Sequence, residues 1–461
     1  MKKKNKKIYI HFVGIGGIGM SGIAELMYNL GYKVVGTDIN ESEIISRLKK
    51  IGIKVLIGHQ RKNLDDVDAV VYSSAIKKNN PEILEAKDRK IPLLSRADML
   101  GELMKNKKSI AVAGSHGKTT TTSLIGNILE EGKFDPTIVN GGIINSFSKN
   151  NKYGRGKWMV VEADESDGSF LKLPHQVSII CNLDLEHMDF YKTKKNLLES
   201  FEKFITNLPF YGVSIINEDD KNLKKIISKI NTRKIITFSI KNKNADVLIN
   251  KISYNKNVSG FTLNFNKKIN YITKPQKYFI KAIGLHNVLN GAASVIAGIQ
   301  VGVQNEKIKK ALKNYIGVKR RFTYLGKINS SKIYDDYAHH PTEIAATLSG
   351  ARQIGKKIIV IFQPHRYSRT KILFKEFVKV LTKINQLYLI DTYSAGEKKI
   401  IGADSKDLFR KLNKLKKNVE YLDKKNFNNT ILKQTNEKNI IIFMGAGSIS
   451  KMAYNFMNIN E

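Results

Sequence analysis

The stretch Ser109 to Thr122, reading Ser-Ile-Ala-Val-Ala-Gly-Ser-His-Gly-Lys-Thr-Thr-Thr-Thr, constrains the fold more than any other part of this 461-residue chain. Its apolar run Ile110 to Ala113 predicts a buried strand, Gly114 to Lys118 a tight loop, and Thr119 to Glu130 the helix that follows. A strand that feeds a helix through a glycine loop aims backbone N–H groups and the positive end of the helix dipole at one point, which makes a phosphate cradle. There Gly114, Ser115, His116 and Gly117 wrap the anion, Lys118 reaches the terminal phosphates of a nucleotide, and Thr119 or Thr120 holds its Mg2+. The strict P-loop pattern has another glycine five residues before Gly117; this chain has Val112 there, so the loop is a shortened form. Four consecutive threonines are poor helix formers, which argues for a role beyond local propensity.

The length suggests about three domains, and a hydrophobic content of 42% supplies material for several cores. No apolar run approaches the roughly 18 residues that a membrane span requires, so no membrane partner is expected. The basic start, Met1 to Lys7, leads into Ile8 to Val13, which is too short for a signal peptide and runs straight into glycines; the expectation is a cytoplasmic protein. The one cysteine, Cys181, excludes an intrachain disulfide and reads as a small core residue. A net charge of +37 suggests nucleic acid, and a basic P-loop protein gripping DNA or RNA is the rival reading from another class. The lysines are spread along the whole chain, however, which points to solvated surface charge and no nucleic-acid partner.

Before the P-loop, Lys7 to Val13, Lys33 to Thr37 and Val67 to Tyr72 read as strands, with helices over Ile18 to Leu30 and Ser42 to Ile51 between them. This alternation predicts a parallel sheet covered by helices. The first turn is a full Gly-x-Gly-x-x-Gly, Gly14 to Gly19, and Asp38 ends the second strand where a ribose-binding acid is expected. Spacing alone leaves a dinucleotide or a nucleotide-sugar open, with NAD slightly favoured. After the P-loop, strands Lys157 to Val161 and Gln176 to Asn182 end in Glu162-Ala-Asp-Glu-Ser-Asp167 and Leu183-Asp-Leu-Glu-His-Met-Asp189. Acids and a histidine after two strands beside a P-loop after a third suggest a Mg2+ and phosphate site. Lys241 to Tyr278 reads as a peripheral antiparallel hairpin or meander. His286, Asn287 and Asn290 then share one face of a small-residue helix, with capping by Asn287 the plain reading. A third segment, from Lys319, carries strands Lys332 to Asp335, Lys356 to Phe362, Gln386 to Asp391 and Asn439 to Met444. Arg366 and Arg369 lie beside one strand end and read either as a carboxylate or phosphate clamp or as surface ion pairs.

Taken in order, Gly14 to Gly22, Ser73 to Ile76, Gly114 to Thr120, Glu162 to Phe170, Glu186 to Asp189, His286 to Asn290, Asp335 to Glu343 and Phe362 to Thr370 resemble the ATP-dependent Mur ligases of peptidoglycan synthesis over essentially the whole chain. The start, Gly-Ile-Gly-Gly-Ile-Gly-Met-Ser, resembles the alanine-adding branch better than the recycling branch that joins a tripeptide. The resemblance implies an α/β chain of three domains. They are an N-terminal Rossmann-like nucleotide-sugar domain (1–106), a central P-loop ATPase-like domain (107–318) and a C-terminal Rossmann-like α/β domain that closes over ATP and the amino acid (319–461).

The activity it implies is ATP-dependent joining of L-alanine to the lactyl carboxylate of UDP-N-acetylmuramate through an acyl phosphate, with Mg2+. The UDP-sugar then falls to Gly14, Gly16, Gly17, Gly19, Met20, Ser21, Asp38, Ser73 and Ser74. ATP falls to Gly114 through Thr120, with Asn290 and His286 at the adenine and Arg321 and Asp336 as further contacts; Arg366 and Arg369 take the alanine carboxylate. Glu162 and His187, with Thr119 or Thr120, are the implied metal ligands, and Lys118, Glu162 and His187 the catalytic set. For the general base the sequence offers only His339 or His340. Several sister ligases use a carbamylated lysine, for which the region around Phe201 has no counterpart.

Overall fold

Three groups of apolar strands build three sheets in the computed structural model, which describes residues 7–460 apart from positions 74, 147–148, 256, 356, 416–417, 424–425 and 436. The chain divides into two compact units, one of Met1–Asn250, Leu263–Gln276 and Asn290–Leu312, the other of Lys251–Thr262, Lys277–Leu289 and Lys313–Glu461.

In the first unit, β1 (Tyr9–Val13), β2 (Lys33–Asp38), β3 (Lys54–Ile57), β4 (Ala69–Tyr72) and β5 (Leu93–Ser95) pair in the order β3-β2-β1-β4-β5, all parallel. The three strands expected from sequence are the middle ones. β3 and β5 were not expected: they are edge strands of four and three residues with half-exposed side chains, so their hydrophobic signal is weak. The helix Ile18–Asn29 lays Met20, Ile23, Ala24 and Met27 against the sheet at helical spacing.

One buried polar cluster ties this domain together. Glu82 is fully buried at the start of the helix Pro81–Asp88. Its Oε2 accepts from Thr37 Oγ1 (2.7 Å) and lies 3.1 Å from His59 Nδ1 and 3.4 Å from His11 Nε2, and its Oε1 accepts from Asn63 Nδ2 (2.6 Å). Burial works against the charge, but the bonds from His11, Asn63 and Thr37 overcome it and hold the carboxyl at about 2.

The second sheet contains β6 (Lys108–Ala113), β7 (Thr137–Ile144), β8 (Lys149–Lys152), β9 (Trp158–Glu162), β10 (Val177–Ile180), β11 (Val213–Asn217), β12 (Lys234–Ser239), β13 (Val247–Asn255), β14 (Val258–Phe265) and β15 (Gln276–Ile280). Its order is β15-β14-β13-β12-β11-β10-β6-β9-β7-β8. β6, the P-loop strand, lies between β10 and β9 and is parallel to both, so three carboxyl ends open side by side. The run expected as a peripheral meander forms β13 to β15, successive neighbours at one edge. The antiparallel hairpin of β7 and β8 was not expected, because its glycines and asparagines read as loop. It ties the second sheet to the first within the unit: Asn150 Nδ2 donates to Ile18 O (3.0 Å) and Lys149 pairs with Glu25 (2.7 Å).

In the second unit, β16 (Thr323–Ile328), β17 (Ser331–Asp336), β18 (Ile358–Phe362), β19 (Gln386–Leu389), β20 (Val419–Tyr421) and β21 (Ile440–Met444) pair in the order β16-β17-β21-β18-β19-β20. All are parallel except β16 against β17, and β17, β18, β19 and β21 are the expected strands. Among the described residues, no helix is long and apolar enough to cross a membrane.

The Glu82 cluster gives a stability test. A native carboxyl held at about 2 contributes stability that is complete above its unfolded value of roughly 4.3 and is lost as pH falls towards 2. Glu82→Gln is expected to cost about 2 kcal/mol in urea unfolding near neutral pH and to weaken the loss of stability between about pH 5 and pH 2; an unchanged acid limb means the cluster is not the source.

Candidate active site

The P-loop follows β6 and is laced to the segment after β10. Ser115 N donates to Asn182 O (3.1 Å), His116 N to Asn182 Oδ1 (2.9 Å), and Asp184 N to Ser115 Oγ (2.8 Å). His116 Nε2 sits 2.8 Å from Asp184 Oδ2. Gly117 begins the helix Lys118–Glu131 with φ +85°, where an L side chain is strained, and a Cβ there would lie 2.6 Å from Asn290 Oδ1. The glycine is therefore required by its neighbour as well as by its backbone, and Asn290 stands beside the P-loop. Thr119, Thr121 and Thr122 are buried, so packing holds a helix that propensity alone would not. Cys181, 5% exposed, lies 3.5 Å from Thr121 Oγ1, and burial pushes its thiol up to about 11.

Lys118 Nζ donates to Gly114 O (2.7 Å), Ser115 O (3.2 Å) and Glu165 Oε1 (2.8 Å). Burial opposes its charge, but Glu165 and Glu162 reverse the effect and hold it above the ordinary lysine range. Burial pushes the Glu165 carboxyl up to about 7 against the pull of Lys118. Thr119 Oγ1 donates to Glu162 Oε1 (3.1 Å), and Gly141 N to Glu162 Oε2 (2.7 Å). The expected metal ligands thus fall into two groups. Thr119 meets Glu162, whereas His187 meets Glu165 and Glu186, the donor atoms of these three all lying within 4.8 Å of one another. Glu165 Oε2 is buried without a hydrogen-bond partner. Carboxylate and hydroxyl oxygens with one imidazole suit a hard divalent cation. Glu165 was missed from sequence, although it stands three residues after Glu162 in the same acidic run. Phe201 is fully buried with its ring 5.2 Å from that of Phe170.

The other glycine loop crosses from β1. Gly14 N and Ile15 N donate to Thr37 O, and Gly16 N to Asp38 Oδ2 (2.8 Å), so the expected ribose acid braces the loop itself. Two of the expected ligand contacts turn inward: Met20 is 1% exposed in the core, and buried Ser21 donates from Oγ to Ile18 O (3.1 Å). Ser73 N donates to Val13 O (3.2 Å), and Ser74 lies outside the described residues.

In the second unit, Asp336 is 4% exposed and accepts from Ala338 N (2.7 Å) and Thr347 Oγ1 (3.1 Å); burial pushes its carboxyl up to about 6. Arg321 pairs with Glu343 (3.5 Å), and its guanidinium lies over the Tyr337 ring. Burial, with Arg321, pushes His286 down to about 4. Asn287 lies inside the helix Leu285–Gln300, and its Nδ2 donates to Ile283 O (2.9 Å). His340 accepts from Thr342 N (3.3 Å) and caps the helix Pro341–Ala351, so one of the two general-base candidates has a structural task. Arg366 has φ +71° and donates from its backbone N to Tyr393 O (2.8 Å). Arg369 lies 3.3 Å from His365 Nδ1, and His365 stacks on Tyr393. His365, pushed down to about 4 by burial and its cationic neighbours, is a further residue that the sequence reading passed over.

A glycine loop with a lysine and a threonine over a parallel sheet, flanked by an acidic and histidine cluster, defines a P-loop nucleotide-using α/β enzyme. The chain belongs to the Mur ligase family: residues 9–108 match its "Mur ligase family, catalytic domain", 112–298 its "Mur ligase middle domain" and 320–447 its "Mur ligase, glutamate ligase domain". It is 43% identical over 462 residues to the UDP-N-acetylmuramate–L-alanine ligase of Rickettsia bellii, covering 98% of this chain and 97% of that one. It is 44% identical over 469 residues to the protein of the same name from Rickettsia felis, with 98% and 96% covered. The crystal structure of the UDP-N-acetylmuramate-alanine ligase of Thermotoga maritima matches with a TM-score of 0.82 at 28% identity, covering 98% of this chain and 99% of that one. A murein peptide ligase of Psychrobacter arcticus shares the fold, with a TM-score of 0.70 at 24% identity and 98% of each chain covered.

The tight fit at Gly117 is directly testable. Gly117→Ala should weaken binding of a fluorescent ATP analogue by about tenfold or more while the circular dichroism stays native, because both the positive φ and Asn290 resist a methyl group; wild-type affinity would show that the loop accommodates a side chain.

Proposed function

We propose that this chain is the ATP-dependent amide ligase that joins L-alanine to the lactyl carboxylate of UDP-N-acetylmuramate, releasing ADP and phosphate, in the assembly of peptidoglycan precursors. The observation that carries this reading is the 43% identity to the R. bellii ligase, sustained through 98% of this chain and 97% of that one. The arrangement of the P-loop supports it. A carboxylate is a poor electrophile, so the γ-phosphoryl group is first passed to the lactyl carboxylate; the alanine amine then attacks the acyl phosphate and phosphate leaves. Catalysis of the first step is positioning and charge neutralisation. Lys118 supplies the cation, and the N–H groups that open the helix Lys118–Glu131 orient the phosphates.

The domains run 1–106 for the nucleotide-sugar, 107–318 for ATP and 319–461 for the amino acid, a division supported by the three sheets and the three matched stretches. Asn290 serves the adenine, a role supported by its place against Gly117. His286, Arg321 and Asp336 are assigned to ATP, and Arg366 and Arg369 to the alanine carboxylate. Mg2+ would be held by Thr119 and Glu162 and by His187 with Glu165 and Glu186, and when bound supplies neutralisation of phosphate charge. The UDP-sugar falls to the Gly14 to Gly19 loop. Asp38, engaged by Gly16 N, supports a bracing role there more than that of an acid awaiting a ribose.

The test is phosphate release from ATP with UDP-N-acetylmuramate and L-alanine added separately and together. Release requiring both, with an equal yield of alanyl product, is expected, and Lys118→Ala should abolish it while UDP-sugar binding persists. Release indifferent to both substrates would overturn the ligase reading.

A further inference from the structure

The P-loop lysine does not reach outward into its cradle. All three hydrogen bonds of Lys118 Nζ go to groups around the loop: two carbonyls of the loop itself and Glu165 Oε1. Glu165 is 2% exposed, and its backbone is pinned by Tyr191, whose hydroxyl donates to Glu165 O (2.5 Å). Its second oxygen, Oε2, is buried without a partner, and Oε1 lies 3.7 Å from His187 Nε2. A lysine drawn to a triphosphate gives up its contact with Glu165, and a carboxyl this deeply buried then takes up either a proton or another cation. The donor atoms of His187 and Glu186 are within 4.8 Å of it.

We propose that the Glu165 carboxylate is a shared cation seat, held by the Lys118 ammonium when the P-loop is empty and by a divalent cation, with His187 and Glu186, once the lysine is drawn to the nucleotide. Glu165 is thus a positioning residue, and the exchange makes nucleotide and metal binding mutually dependent: neither moves fully into place without the other. The inference rests on the reading of Gly114 to Thr120 as an ATP site.

Two measurements test it on the full chain. The first is calorimetric titration with a non-hydrolysable ATP analogue, with and without Mn2+. In the wild type Mn2+ should tighten the analogue strongly. In Glu165→Gln the metal-free analogue should bind about tenfold tighter than in the wild type, since the lysine is no longer held back, and the gain from Mn2+ should shrink by about tenfold, the scale of one charge-assisted hydrogen bond. Glu165→Asp should recover part of the metal effect. The second is titration of Mn2+ alone, followed by its electron paramagnetic resonance signal. Lys118→Met vacates the seat and should bind Mn2+ about tenfold more tightly than the wild type, a gain absent from the Lys118→Met/Glu165→Gln double variant. Should Glu165→Gln misfold, the comparison of Lys118→Met with wild type still decides. Wild-type values with and without Mn2+ in Glu165→Gln, or no gain in Lys118→Met, would overturn the seat while leaving the ligase reading intact; no analogue binding by the wild type would overturn the ATP site and the seat with it.

Discussion

A half-buried lysine ammonium and a fully buried carboxylate 2.8 Å apart set the terms for the centre of this molecule. Isolated burial of either charge is prohibitive, and removing one partner of such a pair costs about 3–5 kcal/mol. The surrounding structure supplies what the pair needs. β6 is in parallel register with β9 and β10, Val112 opposite Glu162 and Ala113 opposite Ile180, so the loop carrying Lys118, the acidic run and the segment bearing His187 leave the sheet at one level. Backbone carbonyls of Gly114 and Ser115 complete the lysine's hydrogen bonds. By contrast, exposed pairs such as Lys105 with Glu102 are each worth about 0–1 kcal/mol. The net charge of +37 therefore says much about the surface and little about what holds the fold.

The two glycine loops of the first unit solve different problems with similar sequences. In the P-loop the glycines allow other chain segments to press close, Asn182 on Gly114 and Asn290 on Gly117. In the loop after β1, backbone N–H groups are drawn to Thr37 O and to Asp38, which fixes the turn through its own sheet neighbour. A Gly-x-Gly-x-x-Gly is thus compatible with more than one ligand, because its immediate partners are parts of the protein.

Much of the fold was legible because long apolar strands alternate with helices of clear period: β1, β2, β4, β6, β9, β10, β17, β18, β19 and β21 all follow from local pattern. What was not legible has physical causes. Edge strands such as β3 and β5 are too short and too exposed to announce themselves, and the β7–β8 hairpin is built from glycine and asparagine that read as loop. At the site, Lys118, Thr119, Glu162 and His187 stand out by motif. Glu165 does not, because its importance comes from burial and from a lysine 47 residues away in sequence. His340, paired in sequence with His339 as a candidate base, also caps a helix through Nδ1, a role set by where the following helix begins. Met20 and Ser21 belong to a resembling motif yet face the core, since helical periodicity, not the motif, decides which way they point.

Cys181 sits under the P-loop, 5% exposed, its thiol held far from ionisation, and it is the chain's one cysteine. Thiolate is the reactive form, so alkylating reagents and mild oxidants find almost nothing to attack in the native protein. The natural sequence is consequently a silent background for thiol-directed spectroscopy. A single cysteine placed on any exposed element would carry a fluorophore or spin label alone, with no need to alter the floor of the nucleotide site first.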